Sequence, residues 1–398
     1  MWRSSLVQHA TSMFGQIAAG LPLLIIVVFV SRVQGLEQVG KLTVVIAISA
    51  AAYSVALWEF RSYVVLDKFK TFSPLDYASA RSIALVIATI ATIGAALWIG
   101  ISLSLAIAVV LYRICDAIVD LVFAFNLVWR DTSEALRAYA IQNALKLAVL
   151  CGAGAMSFTV DRSSSQFFIA ASGLVALCGT MFMVTRDREH RFRWHLHLSL
   201  IAALFFKARW FAIGTLGVIA LTSAPRTIVV WLYQGDLLGV VGASLSITTF
   251  WGMAFFTTWL RYLPRFNSAQ DKLATARTFL AEITGVAVIA GVVSFFVLPS
   301  ATGIVFGFHD PRQLLLSREV LVAGVIFFGS MSLANLYKVT PTPWMESVVY
   351  LVCAVVVGAF TLAIPTHNSI AAILMVAGLT MLAMSLLALR SLGPKLAN

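Results

Sequence analysis

Residues 102–127 read SLSLAIAVVLYRICDAIVDLVFAFNL. The run is longer than the roughly 20 apolar residues a helix needs to cross a bilayer, and it does not alternate as a barrel strand would. Arg113, Asp116 and Asp120 are its only ionisable interruptions apart from Tyr112 and Cys115. Spacings of three and four residues put these three charges on one helix face. The stretch therefore predicts a transmembrane helix with a charged face inside the membrane, where one charge costs at least about 2.5 kcal/mol on insertion scales.

Working outward, the same reading recurs along the chain. Spans are predicted at 6–31, 41–65, 80–99, 102–127, 136–158, 165–185, 207–232, 238–262, 278–300, 317–337, 345–364 and 369–390. The 398 residues are 60% hydrophobic and only 11% charged, whereas globular domains carry about a quarter charged residues. The expected fold class is an all-α membrane protein of about 12 transmembrane helices, in two six-helix lobes with a central cavity. The expected lobes are 1–185 and 207–398, joined by a basic cytoplasmic linker at 186–206. Met1-Trp2-Arg3 leads into an apolar run with no small-residue cleavage site, so the first span reads as retained. Cys115, Cys151, Cys178 and Cys353 all lie in apolar segments and read as free core thiols.

The net charge of +11 would suggest nucleic acid in a soluble protein. Its distribution argues against that partner. With both termini cytoplasmic, 19 of the 28 Lys and Arg residues fall in cytoplasmic segments or adjoining helix ends, and five fall on the other side. That asymmetry is the positive-inside pattern, and it points to anionic headgroups. The longest polar connection, Arg186 to His197, mixes basic and aromatic residues and reads as lying on the membrane surface.

The remaining four cations, Arg61, Arg113, Lys146 and Arg226, lie within or near the ends of predicted spans. Lys146 sits in the span after Arg113. Consecutive helices pack side by side, so Lys146 is expected to reach Asp116 or Asp120. Two readings follow: an internal salt-bridge network that fixes packing, or a polar wall that binds substrate or carries an ion. Arg61 is one turn from a helix end, where it either snorkels to the surface or lines a cavity. Arg226 follows Pro225 in the outer half of its span, beside a carbonyl that proline leaves without its usual donor.

Gly35-Leu36-Glu37-Gln38-Val39-Gly40-Lys41 nearly spells a phosphate loop, but Leu42 stands where Ser or Thr would bind magnesium. It also joins two membrane spans, so its glycines read as a tight turn. About 200 residues later, Gly235 and Gly239 stand in the same relation to the eighth span. Ala78-Ser79-Ala80-Arg81-Ser82 is likewise echoed by Ala274-Thr275-Ala276-Arg277-Thr278. These echoes suggest a duplicated six-helix unit, with both copies facing the same way. No cofactor or metal site is expected. The connections are too short for a catalytic domain, so the chain is not expected to be an enzyme.

These features together resemble the bacterial polysaccharide flippases of the multidrug/oligosaccharidyl-lipid/polysaccharide exporter superfamily, in the O-antigen and exopolysaccharide branch. The resemblance rests on the layout, the Gly-rich turn, the Arg113, Asp116 and Asp120 face, and Pro225-Arg226 followed by Gly235-Asp236-Leu237-Leu238-Gly239. It implies an inner-membrane protein that moves an undecaprenyl-pyrophosphate-linked oligosaccharide to the periplasmic leaflet by alternating access. It also implies a monomer working beside polysaccharide polymerase machinery. Arg61, Arg113, Lys146 and Arg226 are then the substrate contacts, and Asp116 and Asp120 the ion-coupling carboxylates. Two alternatives stay open: an oligosaccharide polymerase or ligase, and a multidrug or small-molecule antiporter.

Overall fold

Ten helices carry the architecture of a computed structural model that describes residues 24–32, 35–57, 64, 71–129, 141, 143–148, 174, 198–268, 271–308, 310–339, 344–363 and 370–392. They are α1 (Leu36–Leu57), α2 (Pro74–Trp98), α3 (Leu103–Trp129), α4 (Leu198–Leu232), α5 (Asp236–Ser268), α6 (Lys272–Phe296), α7 (Leu298–Phe306), α8 (Pro311–Ala334), α9 (Met345–Ala363) and α10 (Ile370–Leu392). Six of them, α1, α2, α5, α6, α8 and α10, are long and apolar enough within the described residues to cross a membrane. Arg61 and the span predicted at 165–185, save Leu174, lie outside the described residues, as does most of the first span.

Local sequence sets the helix ends. Ser73 opens α2 with a capping box: its hydroxyl accepts the Asp76 N–H, and the Asp76 carboxylate accepts the Ser73 N–H at 2.8 Å. Asp271 and Asp310 cap α6 and α8 in the same role, each accepting a first-turn backbone N–H at 2.9 Å. Gly35 and Gly235 hold left-handed backbones immediately before α1 and α5, as the predicted turns require. The rest of the loop-like motif, Leu36 to Lys41, is helical, with Glu37 and Lys41 paired at 2.7 Å. The ninth span does not run unbroken to Ser300. It stops at Phe296, and Pro299, which lacks an N–H donor, starts the short helix α7.

The chain divides into two compact units: residues 1–33 with 45–219, and residues 34–44 with 220–398. In the first, α2 packs on α3 through Tyr77, Ala80, Leu121, Ala124 and Phe125, closed by Ile201 and Leu204 from the start of α4. Small residues on α2, including Ala84 and Ala88, let α3 approach closely.

In the second unit, α8 is the central rod, buried along most of its length between α5 and α10. Gly324 lies so near Thr248 that a Cβ would overlap the threonine side chain. Gly378 lies against the backbone of Phe327. Trp259, Tyr262, Phe266 and Phe279 form an aromatic cluster between α5 and α6. The outer face of α6 exposes Val288, Ile289, Val292 and Phe296, as a lipid-facing helix does.

The second unit also contains the start of α1. Its Gly40 abuts Leu238, Gly239 abuts the Leu36 carbonyl, and Gly242 abuts Thr43. Gly40 and Gly239 therefore serve close helix contact and not the turn itself. Helix ends predicted to share a membrane side meet. The Tyr233 hydroxyl accepts the Ile370 N–H at 3.2 Å, and Lys338 pairs with Glu346 at 3.2 Å.

Candidate functional site

The site is built on α3. Ile107 and Leu111 are exposed and mark the apolar side of this helix. At about 100° per residue, Arg113, Asp116 and Asp120 stand on the other side. The sequence placed these three charges on one face, and the structure sends each to a different helix.

Asp116 Oδ1 accepts from Lys146 Nζ at 2.9 Å, which settles which of the two carboxylates Lys146 meets. The ammonium also lies 4.3 Å from the centroid of the buried Tyr112 ring. Lys146 is 2% exposed, whereas the Asp116 side chain is 44% exposed. The cation is thus the hidden partner and the carboxylate the accessible one, at the middle of a membrane helix.

Asp120 Oδ2 accepts from Arg81 Nη2 at 2.8 Å, and the same nitrogen donates to the Ala117 carbonyl at 2.8 Å. Arg81 is also 2% exposed, and its Nε is buried without a hydrogen-bond partner. The sequence reading counted Arg81 among cytoplasmic surface charges and missed this role. The available signal was its place beside Tyr77, Ala80, Ala84 and Ala88 on the small-residue face of α2.

Arg113 turns to α1. Its Nε donates to Ser49 Oγ at 3.1 Å and its Nη2 to the Ile46 carbonyl at 3.3 Å. Both acceptors are neutral groups, and the Asp116 carboxylate one turn along interacts with this guanidinium as well as with Lys146. In the second unit, Arg226 Nη2 donates to the Leu245 carbonyl of α5 at 3.1 Å. The helix carrying Arg226 continues through Pro225 to Leu232. Glu346 is mostly buried and also accepts from the Tyr350 hydroxyl at 3.3 Å. Among the described residues, no cluster of three or more His, Cys, Asp or Glu side chains could hold a metal.

Four of the described cations thus show two arrangements. Lys146 and Arg81 are paired with carboxylates beneath the charged face. Arg113 is anchored on a hydroxyl and a backbone carbonyl, and Arg226 is held in part the same way. Summed over Arg81, Arg113, Asp116, Asp120 and Lys146, the face of the first unit carries one formal positive charge in excess.

No protein-family model matches the sequence, and no curated protein matches it. Solved structures do match. DinF-BH, a MATE multidrug transporter, aligns with a TM-score of 0.67 over 96% of this chain and 93% of its own, at 12% identity. An inward-facing MATE family transporter of the MOP superfamily gives 0.60 at 11% identity, covering 96% of each chain. A MOP superfamily transporter from Pyrococcus furiosus gives 0.57 at 11% identity, over 96% of this chain and 93% of its own. The chain therefore has the all-α, multi-pass membrane fold of these neighbours, which carry twelve transmembrane helices in two lobes.

Proposed function

We propose that this protein is a transporter that moves a polyprenyl-pyrophosphate-linked oligosaccharide from the cytoplasmic to the periplasmic leaflet by alternating access. The observation that carries the reading is Arg113. It is an arginine whose hydrogen bonds go to Ser49 and to the Ile46 carbonyl, on a face where three cations meet two carboxylates and one positive charge is left over for an anion. Pyrophosphate cannot cross hydrocarbon unaided, and a guanidinium offers it a planar two-donor fork. Arg226 and Arg61 join Arg113 as head-group contacts. Lys146 supports the positive field from beneath, with its charge shared with Asp116. Asp116 and Asp120 are the groups through which an ion gradient would act. The Pyrococcus furiosus neighbour is described as having a binding pocket of reversed polarity that suggests a different function. That description is in keeping with pockets of differing polarity on this fold.

Export of cationic drugs is the competing reading. It draws on the accessible Asp116 carboxylate and on the multidrug transporter among the neighbours. Complementation of a flippase-deficient strain that makes the cognate polysaccharide separates the two. Arg113→Ala and Arg226→Ala should abolish surface polysaccharide at normal membrane abundance. Each removes a charge-assisted contact worth about 1.5–3 kcal/mol. Arg226→Lys should restore part of the activity, because charge survives without the fork. Full complementation by both alanine variants, or drug resistance with no polysaccharide phenotype, would transfer the assignment to the drug exporter.

A further inference from the structure

Arg318 plays no part in the site described above. It lies in α8, and a rise of 1.5 Å per residue sets its Cα about 10 Å beyond Pro311, the first residue of that helix. Its neighbour Ser317 is fully buried and hydrogen-bonds with Ser244 of α5 and Thr302 of α7. Those bonds fix the rotation of α8. One position on, about 100° around the helix, Arg318 meets α6, where its guanidinium carbon lies 4.9 Å from the centroid of the Phe295 ring. Its Nε is buried with no hydrogen-bond partner, and among the described residues no carboxylate pairs with it. Glu319, the nearest carboxylate in sequence, stands at the next position around and interacts with Tyr233. The surface here is apolar: Phe295, Phe296 and Leu315, the last of these one turn before Arg318, are all exposed. Helices α5 to α8 belong to the second unit, so the arrangement is complete within it.

We infer that Arg318 and the Phe295 ring form a binding site for the phosphate of an anionic membrane lipid, in the leaflet where α6 ends and α8 begins. An arginine inside an apolar helix persists when a carboxylate, another anion or water meets its charge. The described part of the chain gives Arg318 no carboxylate and gives its Nε no acceptor. Nor is the face that of an aqueous cavity, because its exposed side chains are two phenylalanines and a leucine. On a membrane protein such a face is covered by acyl chains. The anions that acyl chains bring with them are lipid phosphates. Helical side chains lean toward the helix N-terminus, which carries the long arginine stem toward the start of α8 and the headgroup layer. The ring beside the cation attracts it without using any of its N–H donors. With Nε enclosed, the Nη edge offers two parallel donors, which match two oxygens of one phosphate. A merely snorkelling arginine needs only water. Here the ring and the enclosed Nε hold the guanidinium in one place, as a site requires. The inference stands on the membrane fold and goes beyond the proposed transport activity, whatever the substrate.

The test titrates the purified full-length chain with phosphatidylglycerol, phosphatidylcholine or inorganic phosphate and follows the bound molecules by native mass spectrometry. Wild type should bind its first phosphatidylglycerol well ahead of phosphatidylcholine, whose phosphate is screened by its own choline. Arg318→Gln should weaken that first binding by about 10- to 100-fold, as loss of a charge-assisted contact does. Arg318→Lys should keep part of it, because the charge survives without the fork. Phe295→Leu should weaken it by about 2- to 5-fold through loss of the ring. Arg312→Gln, which removes an exposed charge at the start of the same helix, should leave it unchanged. Inorganic phosphate at the same concentration should not displace the lipid. Lipid binding by Arg318→Gln equal to wild type overturns the site, and so does equal binding of phosphatidylcholine. Displacement by inorganic phosphate makes the occupant a soluble anion and overturns the lipid assignment. None of these variants touches Arg113 or Arg226, so the transporter reading stands or falls separately.

Discussion

The two units bury polarity in different currencies of chemistry. The first hides ions: Arg81 and Lys146 are each 2% exposed, and both are tied to carboxylates of α3. Among the described residues, the second unit buries hydroxyls and amides but no ionised side chain to that extent. Ser244 donates to Ser317 at 2.9 Å, Thr302 lies within 3.3 Å of Ser317, and Trp251 donates to Ser294 at 3.0 Å. Hydroxyls return hydrogen bonds to their own helix and cost little to bury. A buried cation is tolerable only while its partner holds it. The first unit is therefore electrostatically committed, and the second is committed by packing.

The sharpest way to break this contrast is to remove one ion of a pair. Asp116→Ala leaves the Lys146 ammonium buried and uncompensated, and should destabilise the protein by about 3–5 kcal/mol. Thermal unfolding in detergent should show the loss, and Asp116→Asn combined with Lys146→Gln should recover most of it. A smaller effect tests the packing side. Gly239→Ala would drive a methyl into the Leu36 carbonyl, which as backbone cannot step aside. A cost of about 1–3 kcal/mol is expected, whereas Gly285→Ala, with nothing within 4 Å, should be neutral or slightly stabilising in the same assay. The smallest effect belongs to Ser317→Ala, which removes one member of the hydroxyl chain and should cost about 0.5–1.5 kcal/mol. If Ser317→Ala proved as damaging as Asp116→Ala, the distinction between the units would fail.

Much of this layout was legible in the sequence because lipid imposes a simple rule: long apolar runs must be helices. Helices α3, α9 and α10 lie within a few residues of their predicted bounds. The charged face of α3 was legible from spacing, but its partners were not. Lys146 could reach either carboxylate by residue count, and only packing chose Asp116. Arg81 was hidden by the positive-inside rule, which gives any basic residue near a cytoplasmic helix end a sufficient reason to exist. Ser49 carried no signal, since a lone hydroxyl in an apolar helix commonly bonds its own backbone. What mattered was that Arg113 of α3 reached it, a coincidence of tertiary structure.

The contact between the start of α1 and α5 also has a consequence in time. Leu36 to Lys41 is synthesised about 200 residues ahead of the Leu238 to Gly242 segment that it packs against. At roughly 5–20 residues per second, the first of these helices waits some 10–40 s for its partner. For that interval the Gly40 face is open to lipid or to other nascent helices. One contact of this unit thus joins a segment made early and held in reserve to one made much later. Ribosome-stalled chains ending before Asp236 should leave a cysteine placed at Thr43, whose side chain lies against Gly242, reactive, and chains extended well beyond Gly242 should protect it.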